Sequence, residues 1–195
     1  MSFTSAEIKS TVAGYFRYKR QCPVVAFEAS DKLRWAIGEP ADVLVVTESR
    51  CLYEVEVKIS LSDLKHDLKK NKHFWFSKQP ENYPVNRFYF AIPNELTNDA
   101  IVICKELYPY AGLLSVSKFP FSSNALNFGV YEAKTPRILN HRRLKIEELI
   151  FIIKEQSGTV CRLSRDKALM ESNYQKVQRD KLELEKLLKL AGINS

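Results

Sequence analysis

Apolar and polar positions change period several times along this chain. Ile8, Val12, Tyr15 and Phe16 recur at helical spacing, with Thr4 or Ser5 placed to cap and Glu7 in the first turn, which predicts a helix over 5–20. Short β-rich runs follow at 22–27, 42–46 and 51–59, the first with Pro23 at its start. Ser60 or Ser62 then opens a basic amphipathic stretch, with Leu61, Leu64 and Leu68 on one face, predicting a helix over 61–72. Further strands are expected at 87–92, 112–117 and 126–131. Residues 97–107 read as a short helix, although the Ile101-Val102-Ile103-Cys104 run suits a strand equally well.

After Leu144 the pattern becomes helical for the rest of the chain. Leu163, Met170, Tyr174, Val177, Lys181, Leu184, Leu188 and Ala191 fall at spacings of three, four or seven, a heptad-like seam interrupted by Lys181. Such a stripe serves either a homodimeric coiled coil or packing along the chain's own domain. The expected organisation is an α/β domain over 1–140, with a mixed sheet flanked by helices, and a C-terminal helical region over 141–195.

With 195 residues and 45% hydrophobic positions, the chain has enough material for one folded core. The longest apolar stretch, 149–153, is far too short to span a bilayer, and the first residues carry no apolar leader, so a cytoplasmic protein without a membrane partner is expected. Four cysteines lie far apart with no C-x-x-C, which argues against a zinc ribbon or a redox motif; Cys22, Cys51 and Cys104 fall in apolar runs and read as buried thiols. Three histidines form no zinc signature, and only six glycines leave no phosphate-cradling loop. The net charge of +7 suits a nucleic-acid partner.

The candidate chemistry lies at 42–58. Glu56 and Lys58 are two apart on a strand and therefore share a face, while Val55 and Val57 turn to the other. Asp42 opens the preceding run. Two carboxylates and a lysine at one end of a sheet can hold Mg²⁺ or Mn²⁺ through oxygen ligands and hydrolyse a phosphodiester, with Lys58 orienting water or stabilising developing charge. Ser60, Asp63 and Asp67 follow directly. They serve either helix capping and local ion pairing or the orientation of Lys58 and a metal-bound water. Lys65, His66, Lys69, Lys70, Lys72 and His73 give a basic surface suited to phosphate contacts, and Trp75, within Phe74-Trp75-Phe76, is a candidate for stacking on bases, although at least two of those three rings are expected in the core.

The order helix, strand, strand with Asp, strand with E-x-K, helix resembles the PD-(D/E)XK nuclease superfamily. Glu56-Val57-Lys58-Ile59-Ser60, Asp63-Leu64, Asp67-Leu68-Lys69 and Arg87-Phe88-Tyr89-Phe90-Ala91 resemble the MmcB-like DNA repair family, which runs E-[IV]-K-S-S, D-F, D-x-K-W and R-F-Y-F-A in that order. Ile59 departs from the family's Ser, Leu64 from its Phe and Lys70 from its Trp, and the segment between Lys69 and Arg87 is longer. The resemblance covers 24–117. It implies a restriction-endonuclease-like fold and a metal-dependent nuclease acting on DNA, or a catalytically inactive DNA-binding or assembly module of the same fold. It also implies that Asp42, Glu56 and the Val57 carbonyl are metal ligands, that Lys58 is the catalytic lysine, and that Glu28 or Glu7 is an additional acid.

Overall fold

Thr4 starts the first helix. Its side chain accepts a hydrogen bond from the Glu7 backbone N–H, and the Glu7 carboxylate reaches back to the Thr4 N–H at 2.7 Å, a reciprocal capping box. Helix α1 runs Ser5–Gly14 and continues as a π-helical turn, Tyr15–Lys19. The computed structural model describes residues 3–27, 41–117 and 129–190. The chain divides into two compact units, Met1–Ile153 and Lys154–Ser195.

The first unit is built on a six-stranded mixed sheet whose spatial order equals its sequence order. Strands β1 (Val24–Phe27), β2 (Val43–Val46) and β3 (Leu52–Val57) form an antiparallel meander. A crossover then brings β4 (Arg87–Pro93) parallel to β3, and a second brings β5 (Gly112–Val116) parallel to β4. Strand β6 (Val130–Lys134) closes the sheet antiparallel to β5. The fold is α/β with helices on the sheet, as the alternating pattern predicts. The segment 97–107, readable as helix or strand, is a helix.

Period-two alternation sorts the strand residues into two cores. Val43, Val45, Val55, Val57, Tyr89, Ala91, Leu114 and Val116 pack with Ile8 and Val12 of α1 and with Tyr15 and Phe16 of the π-helical turn. Leu44, Val46, Leu52, Phe88, Phe90, Ile92 and Leu113 pack with Leu64, Phe76, Ile103 and Tyr108 on the opposite face. Burying each such side chain contributes about 1.5–3 kcal/mol. Leu144 and Ile152 belong to this second core, so the first unit extends past residue 140 into the terminal helix.

The crossover between β3 and β4 differs from the single expected helix over 61–72. Ser60 is extended and its hydroxyl accepts from the Asp63 N–H at 3.1 Å, capping α2 (Leu61–His66). A 3₁₀ turn, Asp67–Lys69, follows, and Lys70 has extended backbone (φ −72°, ψ 138°) before α3 (Lys72–Lys78) begins. In one continuous helix Lys65, Lys69 and Lys72 would share a solvated face. The break turns Lys72, His73 and Phe76 toward the sheet and leaves Phe74 and Trp75 outward. One of the three consecutive aromatic rings is therefore core, not two.

Helix α4 (Thr97–Leu107) connects β4 to β5 and packs on β5 and β6, and α5 (Ile146–Leu190) begins in the first unit. Beyond Ile153, Leu163, Met170, Tyr174 and Val177 of the heptad-like stripe are exposed, whereas the side chains of Leu184 and Leu188, and Ala191, lie outside the described residues. Among the described residues no helix is long and apolar enough to cross a membrane. Cys22 and Cys104 are buried free thiols, and Cys51 is half-buried.

Gly112 opens β5 directly opposite Tyr89 of β4. A Cβ there would stand 2.6 Å from Tyr89 Cδ1 and 2.8 Å from Pro136 Cδ, inside contact distance of a buried ring and a proline. Overpacking of this kind costs about 1–3 kcal/mol. Gly112→Ala is expected to lower the unfolding free energy by that amount, read as a lower urea midpoint with the slope of the transition unchanged.

Candidate active site

The alternation of β3 places Glu54 and Glu56 on the face covered by α2 and α3, and Lys58 continues the row just past the strand end. Glu54, Glu56 and Lys58 are all buried, at 0%, 3% and 5% exposure. Acids and a lysine removed from water need opposite charges at hydrogen-bond distance, and the α2–α3 segment supplies them. Lys72 Nζ lies 2.6 Å from both Glu54 Oε1 and Glu56 Oε1. Lys70 Nζ lies 2.7 Å from Glu56 Oε2 and 2.9 Å from Asp67 Oδ1. Lys58 Nζ lies 2.6 Å from Asp67 Oδ1, 3.6 Å from Glu56 Oε2 and 3.8 Å from Asp63 Oδ1. Formally, three buried carboxylates meet three ammonium groups.

The ionisation equilibria follow from this packing. Burial pushes the Glu54 carboxyl up, Lys72 draws it back and Glu56 raises it again, leaving it at about 7; its second oxygen has no hydrogen-bond partner among the described residues. Burial works against the charge on Lys72, but Glu54 and Glu56 outweigh it and hold the ammonium above its ordinary range. Burial likewise opposes the charge on Asp67. Hydrogen bonds from His73, Lys58 and Lys70 outweigh that penalty and hold the carboxyl well below the usual carboxylate range.

His73 extends the network into the core. Its Nε2 lies 2.7 Å from Asp67 Oδ2 and its Nδ1 2.6 Å from the Tyr110 hydroxyl. With the Tyr110 O–H donating to Nδ1, the proton sits on Nε2 and donates to Asp67, so the partners assign the tautomer. The ring is enclosed by Phe76, Phe88, Phe90 and Tyr108.

Asp42 stands at the end of β2, one residue beyond the Val43–Val55 pair and so beside Glu56. Its Oδ2 accepts from the Val57 N–H at 2.8 Å, taking over the ladder where β2 stops, and its Oδ1 pairs with Lys9 Nζ of α1 at 2.8 Å. Strand geometry sends the Val57 carbonyl off the same edge as its N–H.

The sequence-derived candidates divide accordingly. Asp42, Glu56, Val57 and Lys58 meet at one end of β3. Asp67 holds Lys58, and Asp63, half-exposed, stands near the same ammonium. The Ser60 hydroxyl is spent on the helix cap, and the Glu7 carboxylate on its capping box. Glu28 lies outside the described residues. Lys65, His66 and Lys69 are exposed, Lys70 is half-buried and Trp75 is exposed. Lys72 and His73, expected on the phosphate-contacting face, are instead buried at 0% and 3%, because the interruption of the helix after Lys69 turns them inward. Sequence reading missed Glu54, Lys9 and Tyr110. Glu54 was discoverable, since it precedes Glu56 by one strand period.

Two carboxylates and a backbone carbonyl are hard oxygen donors and suit Mg²⁺ or Mn²⁺. Glu56, however, has both oxygens engaged by lysine. Among the described residues no group of three or more His, Cys, Asp and Glu side chains is disposed to hold a metal ion. The Asp42 oxygens are likewise engaged, by Lys9 and the Val57 N–H, so the donor types suit such an ion but every carboxylate oxygen at this strand end already has a partner.

No family model matches the sequence, and no curated protein matches it. A solved structure of a protein of unknown function from Silicibacter pomeroyi is similar in fold, with a TM-score of 0.52 and 17% identity over 85% of this chain and 92% of that one.

Two outcomes test the charge network. Lys72→Met leaves two buried carboxylates without their shared cation and is expected to cost about 3–5 kcal/mol, read as a loss in urea-unfolding free energy; adding Glu54→Gln to it is expected to restore part of that loss. A carboxyl held below its ordinary 3.8 stabilises the fold above that pH, and the stabilisation is lost as pH falls through and below it. Wild type should thus lose stability more steeply than Asp67→Asn between about pH 5 and pH 3, measured by urea midpoints along a pH series.

Proposed function

We propose that this chain is a PD-(D/E)XK-type protein, related to the MmcB-like DNA repair family, that binds DNA and hydrolyses its phosphodiester bonds with Mg²⁺ or Mn²⁺. One observation carries the reading: at the end of β3 the Asp42 carboxylate is anchored on the Val57 N–H, between the E-x-K residues Glu56 and Lys58. A divalent ion held by Asp42, Glu56 and the Val57 carbonyl supplies Lewis acidity toward the phosphate and a lowered pKa for water. Lys58, fixed by Asp67, contributes positive charge where negative charge develops in the transition state. Asp67 is in turn oriented by His73 and Tyr110, so the lysine is positioned from the core outward.

The exposed Lys65, His66 and Lys69 beside this site supply phosphate contacts, and the outward Phe74 and Trp75 suit stacking on unpaired bases. The stripe on α5 suits a homodimer. A second reading, a catalytically silent DNA-binding or assembly module of the same fold, is favoured by one specific feature: both oxygens of Glu56 are held by lysine.

The deciding experiment is nicking of supercoiled plasmid and of single-stranded DNA with Mg²⁺ or Mn²⁺. Metal-dependent cutting is expected, falling about 10²–10³-fold in Lys58→Ala. Retained binding in a shift assay with no cutting by wild type selects the silent module. Cutting that survives Lys58→Ala rules out this site.

A further inference from the structure

Helix α5 keeps one heptad frame along its length. With Ile146 at position a, Ile153, Val160 and Tyr174 also fall at a, and Leu163, Met170 and Val177 fall at d. The polar positions of this seam are Gln156, Lys167 and Lys181. From Ser157 to Glu185 every e and g residue is polar, so the apolar stripe is only two positions wide. A helix lying on its own domain needs an apolar face of about 100° or more, whereas a strict a/d stripe is the seam of a coiled coil. The change of use shows along the helix. Ile152 is fully buried in the second core, whereas Met170 is 73% and Tyr174 66% exposed. A helix in water takes most of its stability from burying such a stripe.

Charge identifies what covers it. Lys167 and Lys181 stand at a. Each directly follows an aspartate at g, Asp166 or Asp180, and each precedes by four residues a glutamate at e, Glu171 or Glu185. The block thus repeats after two heptads. Every other Lys and Arg from Lys154 to Lys189 falls at b, c or f, away from the seam. Lysines in a seam are costly alone, and acids along both its edges repel; set against one another across two strands, they compensate. In a parallel, in-register pair, an a side chain enters a hole that includes the preceding g residue of the other strand. Lys167 then meets Asp166 of a second copy, and Lys181 meets its Asp180. Within one helix, Lys167 Nζ lies 3.8 Å from Glu171 Oε1 and Lys181 Nζ 4.0 Å from Glu185 Oε1, exposed pairs that contribute little. β-branched Ile153 and Val160 at a, with Leu163 at d, also select two parallel strands.

We propose that α5 beyond Ile153 is one strand of a parallel, in-register, two-stranded coiled coil with a second copy of this chain, its register set by Lys167 against Asp166 and Lys181 against Asp180. This goes beyond the homodimer named above by fixing strand number, direction and register, and no residue of the β3 end enters it.

The test uses the full chain. Sedimentation equilibrium at micromolar concentration is expected to give twice the 22.5 kDa of one chain. A monomer, trimer or tetramer overturns the proposal. Direction and register are read by air oxidation of Leu163→Cys and of Val177→Cys, each in a Cys161→Ser background, with that background alone as the control for the native thiols. Both positions are d, where in-register parallel strands bring equivalent Cα atoms to about 6 Å, within disulfide range. Each variant is therefore expected to cross-link into a dimer on a denaturing gel. An antiparallel or shifted pair joins at most one of the two, and cross-linking of one or neither overturns the proposal. Asp166→Lys combined with Asp180→Lys is expected to weaken the dimer about tenfold, and adding Lys167→Glu and Lys181→Glu to recover part of that loss. An unchanged or tighter dimer in the aspartate variant overturns the pairing. All the substituted side chains are exposed, so the fold of the first unit is not at risk.

Discussion

Lys72 is wholly buried, with its ammonium 2.6 Å from two carboxylates of the central strand β3. Moving any one of these three charges out of water alone would cost several kcal/mol, and only their mutual contact offsets it. The geometry of the site side follows from that requirement. To bring Lys72 over β3, the chain between β3 and β4 must break after the 3₁₀ turn and restart as α3. The break in turn carries His73 under the helix to Asp67, and leaves Lys70 on an extended, half-exposed residue. An uninterrupted amphipathic helix would have satisfied local propensity and left Glu54 and Glu56 buried without this cation.

The two faces of β3 thus do different work. On one, Val55 and Val57 join an all-apolar contact with α1. On the other, Leu52 is core and the next positions, Glu54, Glu56 and Lys58, carry charge toward the strand end. Apolar area along β4 and β5, with Phe88, Phe90, Ile92 and Leu113 beside this row, supplies the stability against which the polar positions are held. That gradient from core to charge along a single strand puts charged groups at a sheet end while their neighbours are fixed by packing. Asp67 links the two parts: it receives Lys58 and Lys70 from the site side and the His73–Tyr110 relay from the core side.

Much of this was legible beforehand. Short β-rich runs located five of the six strands closely, and the stripe of Ile8, Val12, Tyr15 and Phe16 marked the buried face of α1. The two-residue period placed Glu56 and Lys58 on one face, and Asp42 at the head of the neighbouring run stands beside them. Strand β6 was anticipated only in part, because it begins at Val130 and continues to Lys134. The basic stretch departs from its solvated-face pattern at Lys72 and His73, which are buried. Lysine and histidine at helical spacing look like a solvated face, and nothing local distinguishes a lysine facing water from one facing two buried acids.

The sequence by itself determined what depends on neighbours a few positions away: the helix caps at Thr4 and Ser60, the alternation of each strand, the order of elements and the residues able to share a face. Tertiary structure alone decided which charges meet. Asp42 with Lys9, Lys58 with Asp67, and Lys72 with Glu54 and Glu56 are pairings across different elements. Their strength comes from exclusion of water, and water is excluded only once the helices have packed on the sheet.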